Sequence, residues 1–489
     1  MHWIQNQSVH MYPTANLRQI SFPPGNAYLI SQFQLLSGGD YFANCIQWLA
    51  FLGSILVMGL LTQQLLPESH QPWTATMIIL SIPMAIMQAS TTQSDLLTAF
   101  WLSCYTYFIF RFNTPHKSDL FWISASFALA IVTKPTALIY GFPLTLILAV
   151  RIFSSWLTSR RGEMLKTGLI HLGQLLLVLV GSLSLSLGVF FRNHQIFSTF
   201  LGNDQGTRVA DLGIKVLISN LVKNLYINLP VKPVRALVEA VHTWINYDIY
   251  NPNSDLTVSL LTQPSLKFLA PHEDFVGAPV QTILFGLGCI VLIQRWIKFP
   301  SERRRLYSLA LLAIAIVMAY VCFSLTLKWS PFHNRLLLPL VILGVPIMSF
   351  GLQALGPKRL QQGILLGLLV MAIAYALTPV RRPILPLPVV SQQQQAEQSA
   401  SILTLPRDEI YFSGARSELA APYRQVVAVL ADRQCQRIGL HIGQDDWEYP
   451  LWVLLSRQFG QGFALQHVGV ANESAQWPSS FPASELLWL

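Results

Sequence analysis

Again and again the chain runs for about 20 residues without a charge, the length a helix needs to cross a bilayer core. A segment of that kind must satisfy its backbone hydrogen bonds internally, which leaves a helix as the natural form. Ten such runs occur, at 43–66, 73–91, 95–110, 119–133, 136–150, 167–191, 276–294, 306–327, 335–355 and 361–380. The third to fifth are short, which suits tilted or partly re-entrant helices. Only 11% of the 489 residues are charged and 52% are hydrophobic. The expected fold class is therefore an all-α polytopic membrane protein with about ten transmembrane helices. Cys45, Cys104, Cys289 and Cys322 lie in apolar runs and Cys435 stands alone in a polar one, so no disulfide framework or metal pair follows.

A formal charge of +9 raises the question of nucleic acid. The basic residues answer it by their placement, because cytoplasmic loops of membrane proteins collect Lys and Arg. Arg111, Lys117, Arg151, Arg160, Arg161, Lys166, Arg295, Lys298, Arg303, Arg304, Arg305, Lys358 and Arg359 fall in connectors on one side. The short connectors on the other side hold only Lys134, Lys328 and Arg335. The first side is expected in the cytoplasm, both termini outside it, and no nucleic-acid partner. A multi-pass membrane location is expected.

Three larger segments then lie outside: a partial loop at 1–42, a loop at 192–275 within the transmembrane domain 43–380, and the region after a Pro- and Gln-rich linker at 381–400. In the second, the spacing of Leu212, Val216, Ser219, Leu221 and Leu225 predicts an amphipathic helix lying on the membrane surface. Residues 401–489 read as a small extracytoplasmic α/β domain: strand EIYF, helix APYRQVVAVLADRQ, strand RIGLHI, helix DWEYPLWVLLSRQF, strand FALQHVGV. No GxGxxG or GxxxxGK[ST] occurs, so nucleotide binding has no support.

Charges near membrane depth are costly and usually face a cavity or a partner. Asp95, in QASTTQSDLLTAF, is a candidate for organising a substrate or metal ion at the outer surface; the competing reading is a plain helix start with Thr91, Thr92 and Ser94 as turn residues. Lys134, in IVTKPTALIYGFP, is a point charge suited to phosphate, or a side chain that merely snorkels. Lys328, His333 and Arg335 crowd into LTLKWSPFHNRLLLP, which resembles an interfacial anchor but needs a counter-charge that a lipid-linked phosphate would supply. An acid to organise an acceptor and cations to hold a leaving phosphate are the parts of a glycosyl transfer from a lipid carrier.

The stretches ASTTQSDLLTAFWL, TKPTALIYGFPL and KWSPFHNRLLLPL, in this order, resemble the bacterial C-type membrane glycosyltransferases related to protein O-mannosyltransferases and aminoarabinose transferases. The opening residues resemble the later part of that family's first outer loop, and the segment with DDWEYPLWVLL a soluble tail of some members. The resemblance implies a polyprenyl-phosphate-sugar donor, inverting transfer, and a glycan, lipid or protein acceptor at the outer face. Asp95 corresponds to a second acidic residue of the family and is the catalytic candidate. Lys134 corresponds to a basic hinge, and Lys328, His333 and Arg335 to the donor site.

The family also carries a first helix closely followed by an Asp that serves as base. Here the earliest acid is Asp40, at the threshold of a helix, where capping is its expected job. The expectation is that the sequence starts within the family's first loop and that an upstream reading frame would supply the helix and the acid, or that the copy is truncated and inactive. Other classes remain open: a flippase for lipid-linked saccharide, disfavoured because no internal repeat is visible, and a non-catalytic scaffold. A divalent ion bridging Asp95 to a phosphate is compatible with hard oxygen ligands, although no ligand cluster requires it.

Overall fold

A computed structural model describes residues 1–67, 71–112, 117–157, 164–203, 206–210, 212–256, 272–386, 400–413, 416–460, 462–477 and 487–488. Most of the 381–400 linker lies outside these. The chain forms two compact units: one of Met1–Phe42, Gly188–Asn203 and Leu377–Leu489, the other of Ala43–Leu187 and Asp204–Ala376.

The second unit is helical, and each apolar run read from the sequence contains helix. Among the described residues, five helices are long and apolar enough to cross a membrane: Cys45–Leu65, Lys166–Ser184, Pro279–Lys298, Pro300–Thr326 and Lys358–Leu377. The pair Pro72–Leu80 and Pro83–Ala89 makes a sixth if taken as one span bent by 68°. The bend has a local cause. Pro83 lacks an N–H and pushes Ile82 to ψ 111, out of the helical range. Ser118–Thr133 and Ala137–Phe153 are apolar but shorter. The run at 335–355 becomes three short helices, His333–Leu336, Leu338–Leu343 and Val345–Gln353, the last two with Pro in their first turn. Length and composition thus support five or six spans where ten runs were counted.

Apolar side chains stay exposed along these helices, Leu56 at 69% and Ile297 at 66% among them. A bundle in water could not leave such faces uncovered; lipid tails cover them. Where helices do touch, small residues bring them close. Gly288 lies against Ile347 so tightly that a Cβ there would meet the Ile347 carbonyl at 2.2 Å, and Gly351 meets the backbone of Leu284 and Gly288.

The helix Ile214–Asn228 forms where amphipathicity predicted one, but the buried face is different. It buries Val216, Ser219, Asn220, Lys223 and Asn224 and leaves Leu212 and Ile214 exposed. The reason is hydrogen bonding: Asn220 donates to the Ser324 and Leu327 carbonyls, and Asn224 to the Ser324 hydroxyl. These amides satisfy the C-terminal end of Arg303–Thr326, whose last carbonyls have no partner within their own helix.

In the first unit, β1 (Arg437–Leu440) lies between β2 (Ala464–His467) and β3 (Leu487–Trp488), all parallel, with Ile438 opposite Leu465 and Leu487. Helices Ala420–Asp432 and Tyr449–Phe459 cover the sheet around a core of Leu430, Ile438, Trp452, Leu455 and Leu465. One expected element differs. EIYF is not a strand: Arg407–Ile410 is a helical turn, and Phe412 enters the core from the turn that follows. The opening residues belong to the same unit. Gln5 accepts a hydrogen bond from the Leu465 N–H at 2.8 Å, while the Thr14 N–H donates to Ser474. Asp40 does not cap a helix; it pairs with Arg407 at 2.6 Å and accepts from Tyr411 at 2.8 Å.

Candidate active site

Asp95 is the first residue of the helix Asp95–Arg111 and is 1% exposed. The positive end of the helix favours a carboxylate there. Gln47 occupies the capping position that Asp95 could have taken, its side-chain oxygen accepting from the Leu97 N–H at 3.1 Å. The Asp95 carboxylate turns instead to two cations. Lys134 Nζ lies 2.5 Å from Oδ1, and Arg335 Nε lies 3.3 Å from Oδ2, close but misaligned for a hydrogen bond.

Lys134 reaches this point because the helix Lys117–Thr133 ends just before Pro135 and the residue stands at its break. Arg335 lies on the short turn His333–Leu336, and its Nη1 also donates to Asp274 Oδ1 at 3.0 Å. Asp274 is held in turn by its neighbours: Gln88 donates to the Glu273 carbonyl and Asn334 to the Phe275 carbonyl. Residues 95, 134, 274 and 335, far apart in sequence, thus form one cluster of two carboxylates and two cations.

Exposure is uneven across this cluster. The Asp95 side chain is 2% exposed, whereas those of Lys134 and Arg335 are 14% and 19%. Among the described residues, hydrogen bonds to carboxylates engage one of the three Lys134 donors and one of the five on Arg335. The two cations thus keep some exposed surface and donors not bonded to carboxylates, while Asp95 is buried.

Two further expected site residues make other contacts. Lys328 Nζ donates to the Pro252 carbonyl. His333 is buried, with Nδ1 2.9 Å from Asn224 Oδ1 and its ring edge-on to Phe323. Neither carries a hydrogen bond or ion pair to the Asp95 cluster among the described residues. A divalent ion on Asp95 does not fit either, since both carboxylate oxygens already face a fixed cation and a metal would sit beside two like charges. Asp274 and Gln47 escaped the sequence reading. The signal for Asp274 was HEDF, an ionisable triplet just before an apolar run, which supplies in protein form part of the counter-charge Arg335 needed.

Residues 21–185 match the family described as dolichyl-phosphate-mannose-protein mannosyltransferase. The match includes Asp95 and Lys134 and ends before Asp274 and Arg335. The fold is similar to the crystal structure of ArnT from Cupriavidus metallidurans in the apo state, with TM-score 0.52 and 13% identity over 93% of this chain and 77% of that one. The structure of the same ArnT bound to undecaprenyl phosphate gives TM-score 0.50 at the same identity and coverage. Likeness at this identity speaks for the fold, that of a multi-pass membrane protein. No curated protein matches.

Proposed function

We propose that this chain transfers a sugar from a polyprenyl-phosphate carrier to an acceptor at the outer face of the plasma membrane, as the partial family match and the fold suggest. The observation that carries the reading is the meeting of Asp95, Lys134 and Arg335 in one partly open cluster. The ArnT relative's complex with undecaprenyl phosphate supports a lipid-phosphate ligand for this fold, and the bias of Lys and Arg toward the other side supports the outward orientation.

In the proposed reaction an acceptor hydroxyl attacks the anomeric carbon, the bond from that carbon to the carrier's phosphate oxygen breaks, and the hydroxyl proton is released to water as the carrier leaves as a phosphate. Negative charge builds on the phosphate oxygens as the glycosidic bond breaks. Lys134 and Arg335 stabilise that charge, and they do so without reorganising because Asp95 and Asp274 already fix them. Asp95, with each oxygen facing a cation, fits the role of holding Lys134 and Arg335 better than that of taking a proton from the acceptor.

The test is sugar transfer from a radiolabelled polyprenyl-phosphate sugar by purified protein. Losing one preorganised donor to a developing oxyanion costs on the order of 10²-fold or more in turnover, so Lys134→Ala and Arg335→Ala are each expected to fall by about that factor. Lys328→Ala, outside the cluster, retains transfer. Full activity in both cluster variants removes the site assignment; no transfer by the wild-type chain with any polyprenyl-phosphate sugar removes the function.

A further inference from the structure

The first unit holds a second group of chemistry-bearing side chains that the transfer reaction does not use. His2 comes from the opening turn, Glu448 from the residue before the helix Tyr449–Phe459, and His467 from the end of β2. His2 Nε2 lies 2.7 Å from Glu448 Oε1 and His467 Nε2 lies 3.2 Å from Oε2, with all three donor atoms within 4.8 Å of one another. We propose that His2, Glu448 and His467 bind a divalent transition-metal ion, with zinc the best match to the donors.

Two imidazole nitrogens and one carboxylate oxygen form a set that zinc accepts with a fourth position left open. Here the fourth side has room: a cavity of about 460 Å³ is lined by His2, Glu448, Tyr12, Tyr449 and Trp452. The ligand carboxylate is already oriented, since Trp452 Nε1 donates to Glu448 Oε1 at 2.7 Å, the kind of outer hydrogen bond that fixes metal ligands. His467 is 3% exposed, and its Nε2 points at the cluster without forming an aligned hydrogen bond.

The competing reading is a closed hydrogen-bond network in which the two imidazoles simply donate to Glu448. The Ala15 N–H lies 3.3 Å from His467 Nδ1, which places that ring's proton on Nε2 in the metal-free chain. Binding a metal at Nε2 moves the proton to Nδ1, where it faces the Ala15 N–H, so the backbone at Ala15 must shift to separate the two donors, a cost set against the metal–nitrogen bond. The ion would clamp the opening residues to the sheet, acting at the same place as the Gln5 and Thr14 hydrogen bonds.

The full chain, purified in detergent with any affinity tag removed, should carry roughly one zinc by elemental mass spectrometry. Chelation should lower its melting temperature and added zinc should restore it. His467→Ala and Glu448→Gln should lose most of the bound metal. Should either variant fail to fold, cobalt added to the chelated wild-type chain decides the matter, because cobalt held by nitrogen and oxygen donors in a tetrahedral site gives visible absorption bands. No zinc in the purified chain, together with no thermal shift and no cobalt bands on reloading, overturns the proposal. Equal zinc in folded His467→Ala and Glu448→Gln also overturns it.

Discussion

Lys223 has no exposed side-chain surface and meets Asp255, 2% exposed, at 2.8 Å. Burial pulls the lysine down and pushes the aspartate up, each shift partly offset by the partner's charge. Breaking such a pair on one side costs about 3–5 kcal/mol because a charge is left buried alone, whereas an apolar pair of similar volume is often tolerated. Asp255→Asn should therefore sharply lower the unfolding temperature in detergent, and Lys223→Met combined with Asp255→Leu should recover most of the loss. A double variant no more stable than Asp255→Asn would show that the pair's geometry matters beyond charge removal. The sequence did not reveal this pair, because Lys223 reads as the polar side of an amphipathic helix and its partner lies 32 residues away. Asp40 offers a pH test in the first unit. Burial would raise its pKa, yet hydrogen bonds from Arg407 and Tyr411 leave it below the carboxylate range. A depressed value stabilises the fold above the ordinary carboxylate pKa, and this contribution fades as pH drops through the lowered one. Melting temperature followed from about pH 5 downward should fall more steeply in the wild-type chain than in Asp40→Asn. Parallel curves would remove Asp40 from the account.

Helices were legible because apolar runs of spanning length leave the backbone little choice, and their breaks were partly legible because Pro83, Pro135, Pro339 and Pro346 stand at helix starts or interruptions. Which face a helix buries was harder to read. Ile214–Asn228 turns its amides inward because an exposed helix end needed donors, a tertiary demand that periodicity does not record. Close helix crossing was also hidden, since a Gly in an apolar run could be packing or slack. The contact of Gly288 with the Ile347 carbonyl makes it packing. A side chain at 288 must push backbone aside, and overpacking of this kind costs about 1–3 kcal/mol. Gly288→Val should lower the melting temperature, while Gly363→Val, with nothing within 4 Å of the added carbon, should change it little. Equal losses at both positions would point to helix propensity rather than packing.

Across the whole molecule, the sequence divided the chain by composition, and the change from polar to apolar at residue 43 coincides with the boundary between Phe42 and Ala43. Asp95, Lys134 and Arg335 stood out in the sequence because each is an ion in an apolar setting, and such ions must find partners. That Asp274 joins the cluster, and that Lys328 and His333 bond to Pro252 and Asn224, depended on tertiary geometry. Composition also could not show that the first and last parts of the chain fold together. Gln5 pairs with both backbone groups of Leu465, at 2.8 and 3.4 Å, as a neighbouring strand would. Thr14 exchanges hydrogen bonds with Ser474, and Asn472 donates to the Thr14 carbonyl. Removing the opening residues would strip these partners from β2 and from 472–474, and unpaired sheet edges open locally. Limited proteolysis of a chain lacking residues 1–15 should therefore cut faster within 462–477 than in the full chain, and Gln5→Ala should show a smaller change in the same direction. Unchanged cleavage in the shortened chain would mean that the sheet is complete without its N-terminal partner.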